Sequence, residues 1–221
     1  MLHQQTFNFL KCLGENNTRE WADANRDEMN DAKSDVTAFA ALIVSEICKF
    51  DPVIAKDPPE PRKCVTRLNR DMRFGKGKGP YKTDFYIVVG LQGIQGLAAS
   101  YAVHVEPGNC FAGGGAPNPM GPDLLAYRKK VSAGFDDFST IVETNAFKDL
   151  FPHGITSQSG NVRKRVPRDF DASDPSVEFL KMEGFITREH LPNQALMTAK
   201  ELDKIIRLLK GSKPLIDFLN R

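Results

Sequence analysis

Apolar positions recur at three- and four-residue spacing near both ends of the chain and at alternate positions in its middle. Phe7, Leu10 and Leu13 predict a short amphipathic helix closed by Gly14. Asn17 or Thr18 then caps a second helix, with Glu20 near the positive end of its dipole and Trp21 as a packing anchor. Met29, Ala32, Val36, Phe39, Ala40, Ile43, Ile47 and Phe50 continue one buried stripe until Asp51-Pro52 ends it. A stiff proline-rich linker, Lys56 to Pro61, follows.

The period then changes. Tyr86 to Leu91 reads as a buried strand. In Ala99 to Glu106, Tyr101, Val103 and Val105 share one face and Ser100, Ala102 and His104 the other. Glu106-Pro107-Gly108-Asn109 has proline and glycine where a type II turn needs them, and Cys110-Phe111-Ala112 returns as a third strand ending in Gly113-Gly114-Gly115. Three strands on tight turns predict a mainly antiparallel sheet.

Helical spacing resumes at Pro122, with Leu124, Leu125, Tyr127 and Val131 inside and Arg128, Lys129 and Lys130 outside. Further helices are predicted around Phe135 to Val142, Ala146 to Phe151 and after Asp174-Pro175. Thr198-Ala199-Lys200-Glu201 reads as a capping box for a helix stopped at Gly211, with a last short helix over Ser212 to Leu219. No strand–helix alternation asks for a doubly wound fold. The expectation is an α+β fold: a single domain over 1–221, with a small, mainly antiparallel sheet packed by N- and C-terminal helices.

Composition is that of an ordinary globular chain, with 41% hydrophobic and 26% charged residues in 221. Cys12, Cys48, Cys64 and Cys110 are widely spaced, without a Cys-x-x-Cys pair, so zinc and dithiol chemistry are not indicated. No apolar run reaches membrane-spanning length, and the first residues lack a basic head with an apolar core. A cytoplasmic location with no membrane partner is the expectation. No pattern specifies an oligomeric state or a cofactor.

Charge changes the picture most. The chain is +2 overall, yet Arg62 to Lys82 holds eight Lys or Arg against one acid, Asp71. Concentrated positive charge suits an anionic partner. Read as a strand, Arg67 to Phe74 puts Arg67, Asn69, Asp71 and Arg73 on one polar face and Leu68, Arg70, Met72 and Phe74 on the other. Arg70 on the apolar face calls for a carboxylate or a bound anion, because an unpaired buried charge is costly. Gly75-Lys76-Gly77-Lys78-Gly79-Pro80 then lets backbone approach a ligand closely, although the spacing of a phosphate loop is absent. A solvated basic hairpin loop is the structural alternative. His104 is the one histidine on a central strand. A hydrogen-bonded structural role is the alternative to chemistry there, and no metal spacing accompanies it.

Arg70-Asp71-Met72-Arg73-Phe74, Lys76, Lys78 and Pro80-Tyr81-Lys82-Thr83 resemble the signature of a conserved-hypothetical family, domain of unknown function 2461. Three further segments fit it: Glu15 to Trp21, His104 to Gly108 with Gly113-Gly114-Gly115, and Val166-Pro167-Arg168-Asp169-Phe170. The resemblance spans nearly the whole chain and implies no particular activity. It departs at Gly77, where the family pattern leads one to expect Asp.

Three functions fit these residues. In the first, a small phosphorylated or carboxylated ligand is clamped by Arg67, Arg70 and Arg73, closed over by Lys78 and Lys82 and contacted by Tyr81, with Asp71 and His104 handling protons. In the second, the same surface binds nucleic acid, with Phe74 and Tyr81 stacking on bases. In the third, it is a non-catalytic protein-interaction face.

Overall fold

A computed structural model of the chain describes residues 1–71, 73, 79–91, 93, 98–158 and 160–221. Met72, Phe74 and the glycine–lysine loop up to Lys78 lie outside the described residues. Four strands, β1 (Phe85–Val89), β2 (Ser100–Val105), β3 (Cys110–Ala116) and β4 (Phe185–Leu191), form one antiparallel sheet in that order. The first three stand where the alternation predicts them. At the β2–β3 turn, Gly108 has φ +80° and Asn109 N–H donates to Glu106 O at 3.0 Å. β4 was not predicted. Its Thr187-Arg188-Glu189-His190 run is polar at successive positions, which hides the period of two.

Before the sheet come α1 (Gln4–Glu15), α2 (Arg19–Ala24), α3 (Arg26–Cys48), α4 (Pro52–Lys56) and α5 (Pro61–Cys64). Between β3 and β4 lie α6 (Pro122–Ala133), α7 (Phe135–Val142), α8 (Asn145–Leu150) and α9 (Val177–Leu180). After β4 come α10 (Asn193–Met197), a 3-10 turn at Ala199–Glu201 and α11 (Leu202–Asn220). The fold is α+β, and one hydrophobic cluster joins helices from both ends of the chain to the sheet. No helix among the described residues is long and apolar enough to cross a membrane.

The boundaries differ from the pattern where side chains rewrite local rules. Gly14 lies inside α1, and the helix ends at Asn16, whose N–H and side-chain amide both donate to Cys12 O at 3.0 Å. The second predicted helix divides at Asn25, which closes α2 by donating its amide to Trp21 O at 2.8 Å. Asp51-Pro52 does not only end a helix: Asp51 Oδ1 accepts from Val53 and Ile54 N–H and so starts α4, and Pro61 opens α5 within the predicted linker. Thr198 makes no capping hydrogen bond. α11 runs through Gly211 and Pro214 as one helix. A Cβ at Gly211 would stand 2.5 Å from Leu150 Cδ1, so this glycine admits α8 rather than stopping α11. Arg128 is buried, not exposed, and donates to Met182 O at 2.7 Å.

α11 lies on the face shared by Tyr101, Gly114 and Thr187, which pair directly across β2, β3 and β4. A Cβ on Gly114 would come 2.7 Å from Ile216 Cδ1 and 3.0 Å from Ser212 Cβ. The middle glycine of the triplet thus lets a helix rest on backbone. The other face of the sheet carries Tyr86, His104, Phe111 and His190 in register across the four strands.

Candidate anion-binding site

Beyond the outer edge of β1 the basic stretch runs antiparallel to the chain that leads into it. Val65 bridges Ile87, Thr66 N–H donates to Tyr86 O at 2.9 Å, and Tyr86 N–H donates to the Thr66 hydroxyl at 2.8 Å. Further out, Arg70 N–H donates to Pro80 O and Lys82 N–H to Leu68 O, and Asn69 bridges Tyr81. These are isolated bridges, so the predicted strand from Arg67 forms only in part. Its alternation nevertheless holds: Leu68 is buried, Arg70 is half-buried, and Arg67, Asn69 and Asp71 are exposed.

Among the described residues, Arg70 directs its guanidinium to backbone. Its Nε donates to Gly79 O and its Nη2 to Tyr81 O, each at 3.2 Å. The guanidinium therefore closes the base of the basic loop by holding two carbonyls of the returning chain. Asn17, at the start of the second helical stretch, holds that chain from the other side. Its Nδ2 donates to Tyr81 O and its Oδ1 accepts from Tyr81 N–H, both at 3.0 Å. A Cβ on Gly79 would run into this amide, so the glycine is needed for close approach.

Arg73 is paired with Asp71 by a fork. Nε lies 3.0 Å from Oδ1 and Nη2 lies 2.6 Å from Oδ2, with Arg73 N–H on the same carboxylate at 3.1 Å. These hydrogen bonds, then the nearby charge of Arg67, hold the Asp71 carboxyl below the usual range. A carboxylate so committed is a weak base.

Arg67, Asn69, Asp71 and Lys82 line one open groove of about 890 Å3, together with Arg62, Lys63, Asp57 and Glu60. Glu60 is paired with Lys63 at 3.0 Å and Asp71 with Arg73. Among the described residues, Arg62, Arg67 and Lys82 have no ion pair. Among the described residues the groove therefore gathers three cations outside any ion pair, with Asp57 as the acid outside one.

His104 lies elsewhere, on the face of the sheet away from α11. It is 3% exposed and sits between Tyr86 and Phe111, with ring centroids 4.3 Å and 4.6 Å away. Its Nδ1–H donates to Asn109 O at 2.9 Å within the β2–β3 turn, and Nε2 faces Asp84 Oδ2 at 3.3 Å and Glu106 Oε2 at 3.8 Å. Both ring nitrogens thus face protein acceptors. Burial holds the neighbouring Tyr86 hydroxyl above the ordinary phenol range, although Gln158 donates to it at 2.9 Å.

Of the residues singled out in the sequence, Arg67, Asp71 and Lys82 meet in one groove. Arg70 holds the Tyr81 backbone at the base of the basic loop, Arg73 is held on Asp71, His104 stands apart, and Lys78 lies outside the described residues. Arg62 is the groove cation that sequence reasoning passed over. It sits in α5, just after the segment read as linker, where its place at the head of the basic run was a usable signal. Among the described residues no group of three or more His, Cys, Asp or Glu side chains is arranged to hold a metal.

A family model described as "Conserved hypothetical protein (DUF2461)" matches residues 5–218. No curated protein and no solved structure matches the chain.

Proposed function

We propose that this chain, which belongs to the conserved hypothetical family DUF2461, binds a small phosphorylated or carboxylated molecule in the groove beside the basic arm. One observation carries the proposal: Arg62, Arg67 and Lys82 line the same groove, and none has an ion pair among the described residues. Free guanidinium and ammonium groups on one wall recognise oxyanions by charge-assisted hydrogen bonds. Lys78 is the sequence's further candidate for closing over the ligand. Arg70 and Arg73 take supporting roles, one holding the arm together and the other holding Asp71. The proposal is for binding rather than proton transfer. Asp71 is engaged by Arg73, and both nitrogens of His104 have protein partners. The same proposal treats 1–221 as one domain and keeps the cytoplasmic location expected from the sequence.

Calorimetric titration at low salt tests it, with inorganic phosphate, a sugar phosphate, citrate and a short oligonucleotide as ligands. The expected result is saturable binding of at least one small anion, weakened about tenfold, or about 1.4 kcal/mol, by Arg67→Ala and by Lys82→Ala. No heat with any small anion would overturn it. Binding of the oligonucleotide alone, with a steep salt dependence, would assign the groove to nucleic acid instead.

A further inference from the structure

The open face of the sheet carries a cavity of about 260 Å3 that, among the described residues, no charged side chain lines. The strand register explains it. One row across the strands is bulky: Tyr86, His104, Phe111 and His190. The next row is Val88, Ala102, Gly113 and Arg188, and its two central positions carry almost no side chain. Tyr86 and Phe111, with ring centroids 5.9 Å apart, wall the resulting hollow, and Val88 and Ile186 add apolar surface. Arg188, at the end of its row, does not line the hollow. Gly113 cannot be enlarged, because a Cβ there would stand 2.0 Å from Thr187 O. The hollow therefore follows from the close backbone packing of β3 against β4.

One polar pair stands in this apolar setting. Gln158 Nε2 donates to the Tyr86 hydroxyl at 2.9 Å, and both residues line the cavity. The contact uses the hydroxyl as an acceptor, so its O–H is left to donate and Gln158 Oε1 is left to accept. Among the described residues neither group has a further hydrogen-bond partner. Burial holds the Tyr86 hydroxyl above the ordinary phenol range, so it stays a donor at neutral pH. A donor beside an acceptor matches the C=O and N–H of an amide. An ion entering a hollow without countercharge would lose its hydration uncompensated, whereas an amide that finds both partners would not. Apolar walls with a few placed polar groups are the usual make-up of a small-molecule site. We infer that the cavity is a second ligand site, which takes an uncharged one-ring aromatic amide. Its carbonyl accepts from the Tyr86 O–H and its N–H donates to Gln158 Oε1. Its ring lies against Tyr86 and Phe111 in the offset or edge-on arrangements that aromatic pairs favour. A volume below the roughly 300–1,000 Å3 of drug-sized sites limits the occupant to a small molecule. The inference does not rest on the anion groove, whose cations Arg62, Arg67 and Lys82 do not line this cavity.

Titration of the full chain with benzamide, benzoate, acetamide and toluene, followed by calorimetry and by ring shifts of Tyr86 and Phe111 in NMR spectra, tests it. Benzamide should bind saturably. The other three should bind about tenfold more weakly or worse, benzoate because it is charged, acetamide for want of a ring and toluene for want of an amide. Tyr86→Phe should weaken benzamide about tenfold and leave toluene unchanged. Ala102→Leu should fill the hollow and abolish binding, and Val88→Phe serves the same end if Ala102→Leu does not fold. Arg67→Ala should weaken small anions at the groove and leave benzamide unchanged, so the two sites fail separately. No saturable binding of benzamide at millimolar concentration would overturn the inference. So would benzoate binding as tightly as benzamide, or equal benzamide affinity in wild type and Tyr86→Phe.

Discussion

The side-chain amide of Asn17 pairs with the backbone of Tyr81 as a neighbouring strand would, donating to its carbonyl and accepting from its N–H at 3.0 Å each, across 64 residues of sequence. This contact joins the N-terminal helices to the base of the basic loop. Asn17→Ala leaves the Tyr81 N–H without its partner, a loss of about 1–3 kcal/mol for a group partly removed from water. Gly79→Ala should cost a similar amount, because the new methyl displaces the same amide. Since both changes break one clasp, the double variant should lose clearly less than the sum in urea denaturation. Fully additive costs would mean the clasp is not the shared element.

A second prediction concerns acid. Asp51 is 3% exposed, accepts from the Tyr101 hydroxyl at 2.7 Å and starts α4, with Lys213 at 3.7 Å. Burial pushes its carboxyl up, but the Tyr101 hydroxyl, the α4 N–H groups and Lys213 outweigh it, and the net shift is downward. A depressed native value stabilises the fold above the unfolded carboxyl's value of about 3.9, and the stabilisation disappears as pH falls through the lower native value. Tyr101→Phe should cost about 1–3 kcal/mol near neutrality and flatten the decline of stability below about pH 4. Urea midpoints measured across that range decide the matter. An acid limb with the wild-type slope would count against Asp51.

Much of the fold was legible because one physical pattern dominated locally. β2 shows its face through Tyr101, Val103 and Val105, and its turn through Pro107-Gly108. β4 was not legible. Its outward face borders an open cavity, and one of its inward positions, Thr187, is filled by a hydroxyl 2.9 Å from that of Ser212. Polar residues therefore stand on both faces. The Gly211 signal misled for a similar reason: glycine there serves the contact with Leu150, and α11 continues through it and through Pro214. Within the site, the alternation of Arg67, Leu68 and Asn69 could be read directly. The partners of Arg70 could not, because Gly79 O and Tyr81 O are backbone atoms that no residue type advertises.

Gly114 in β3 and Gly108 in the turn before it give a contrast. Gly114→Ala drives a methyl group towards Ile216 and Ser212, so α11 must lift. Overpacking of this kind costs about 1–3 kcal/mol. Gly108→Ala meets open space but must hold φ +80°, at about 1–2 kcal/mol. Methyl shifts of Ile216 should move in the first variant and not in the second. An undisturbed Ile216 in Gly114→Ala would contradict the close seating of α11.

Thiol reactivity should follow burial. Cys12 is exposed on α1, whereas Cys64 and Cys110 are buried. Desolvation pushes the Cys64 thiol up to about 11 and raises that of Cys110 as well. Only thiolate reacts, so a disulfide reagent at pH 8 should modify Cys12 quickly and leave Cys64 and Cys110 until the chain unfolds. Mass spectrometry after a short exposure reads the order directly. Early labelling of Cys64 would show that the packing around α5 and β1 opens readily.

Arg70 and Arg67, three positions apart, should answer to opposite assays. Arg70 holds Gly79 O and Tyr81 O, so Arg70→Ala should lower stability by about 1–3 kcal/mol, as loss of charged donors to half-buried carbonyls does. Arg70→Lys should not restore it, because one ammonium does not reproduce the planar fork that reaches both carbonyls. Arg67 is exposed and has no ion pair among the described residues, so Arg67→Ala should leave the melting temperature within a degree or two, as exposed substitutions do (about 0.5 kcal/mol). Its cost should fall on the affinity for phosphate or a sugar phosphate. Melting curves and titrations on the three variants separate the two roles. If Arg70→Ala keeps wild-type stability and loses the anion, the guanidinium serves the ligand and the carbonyl contacts are incidental.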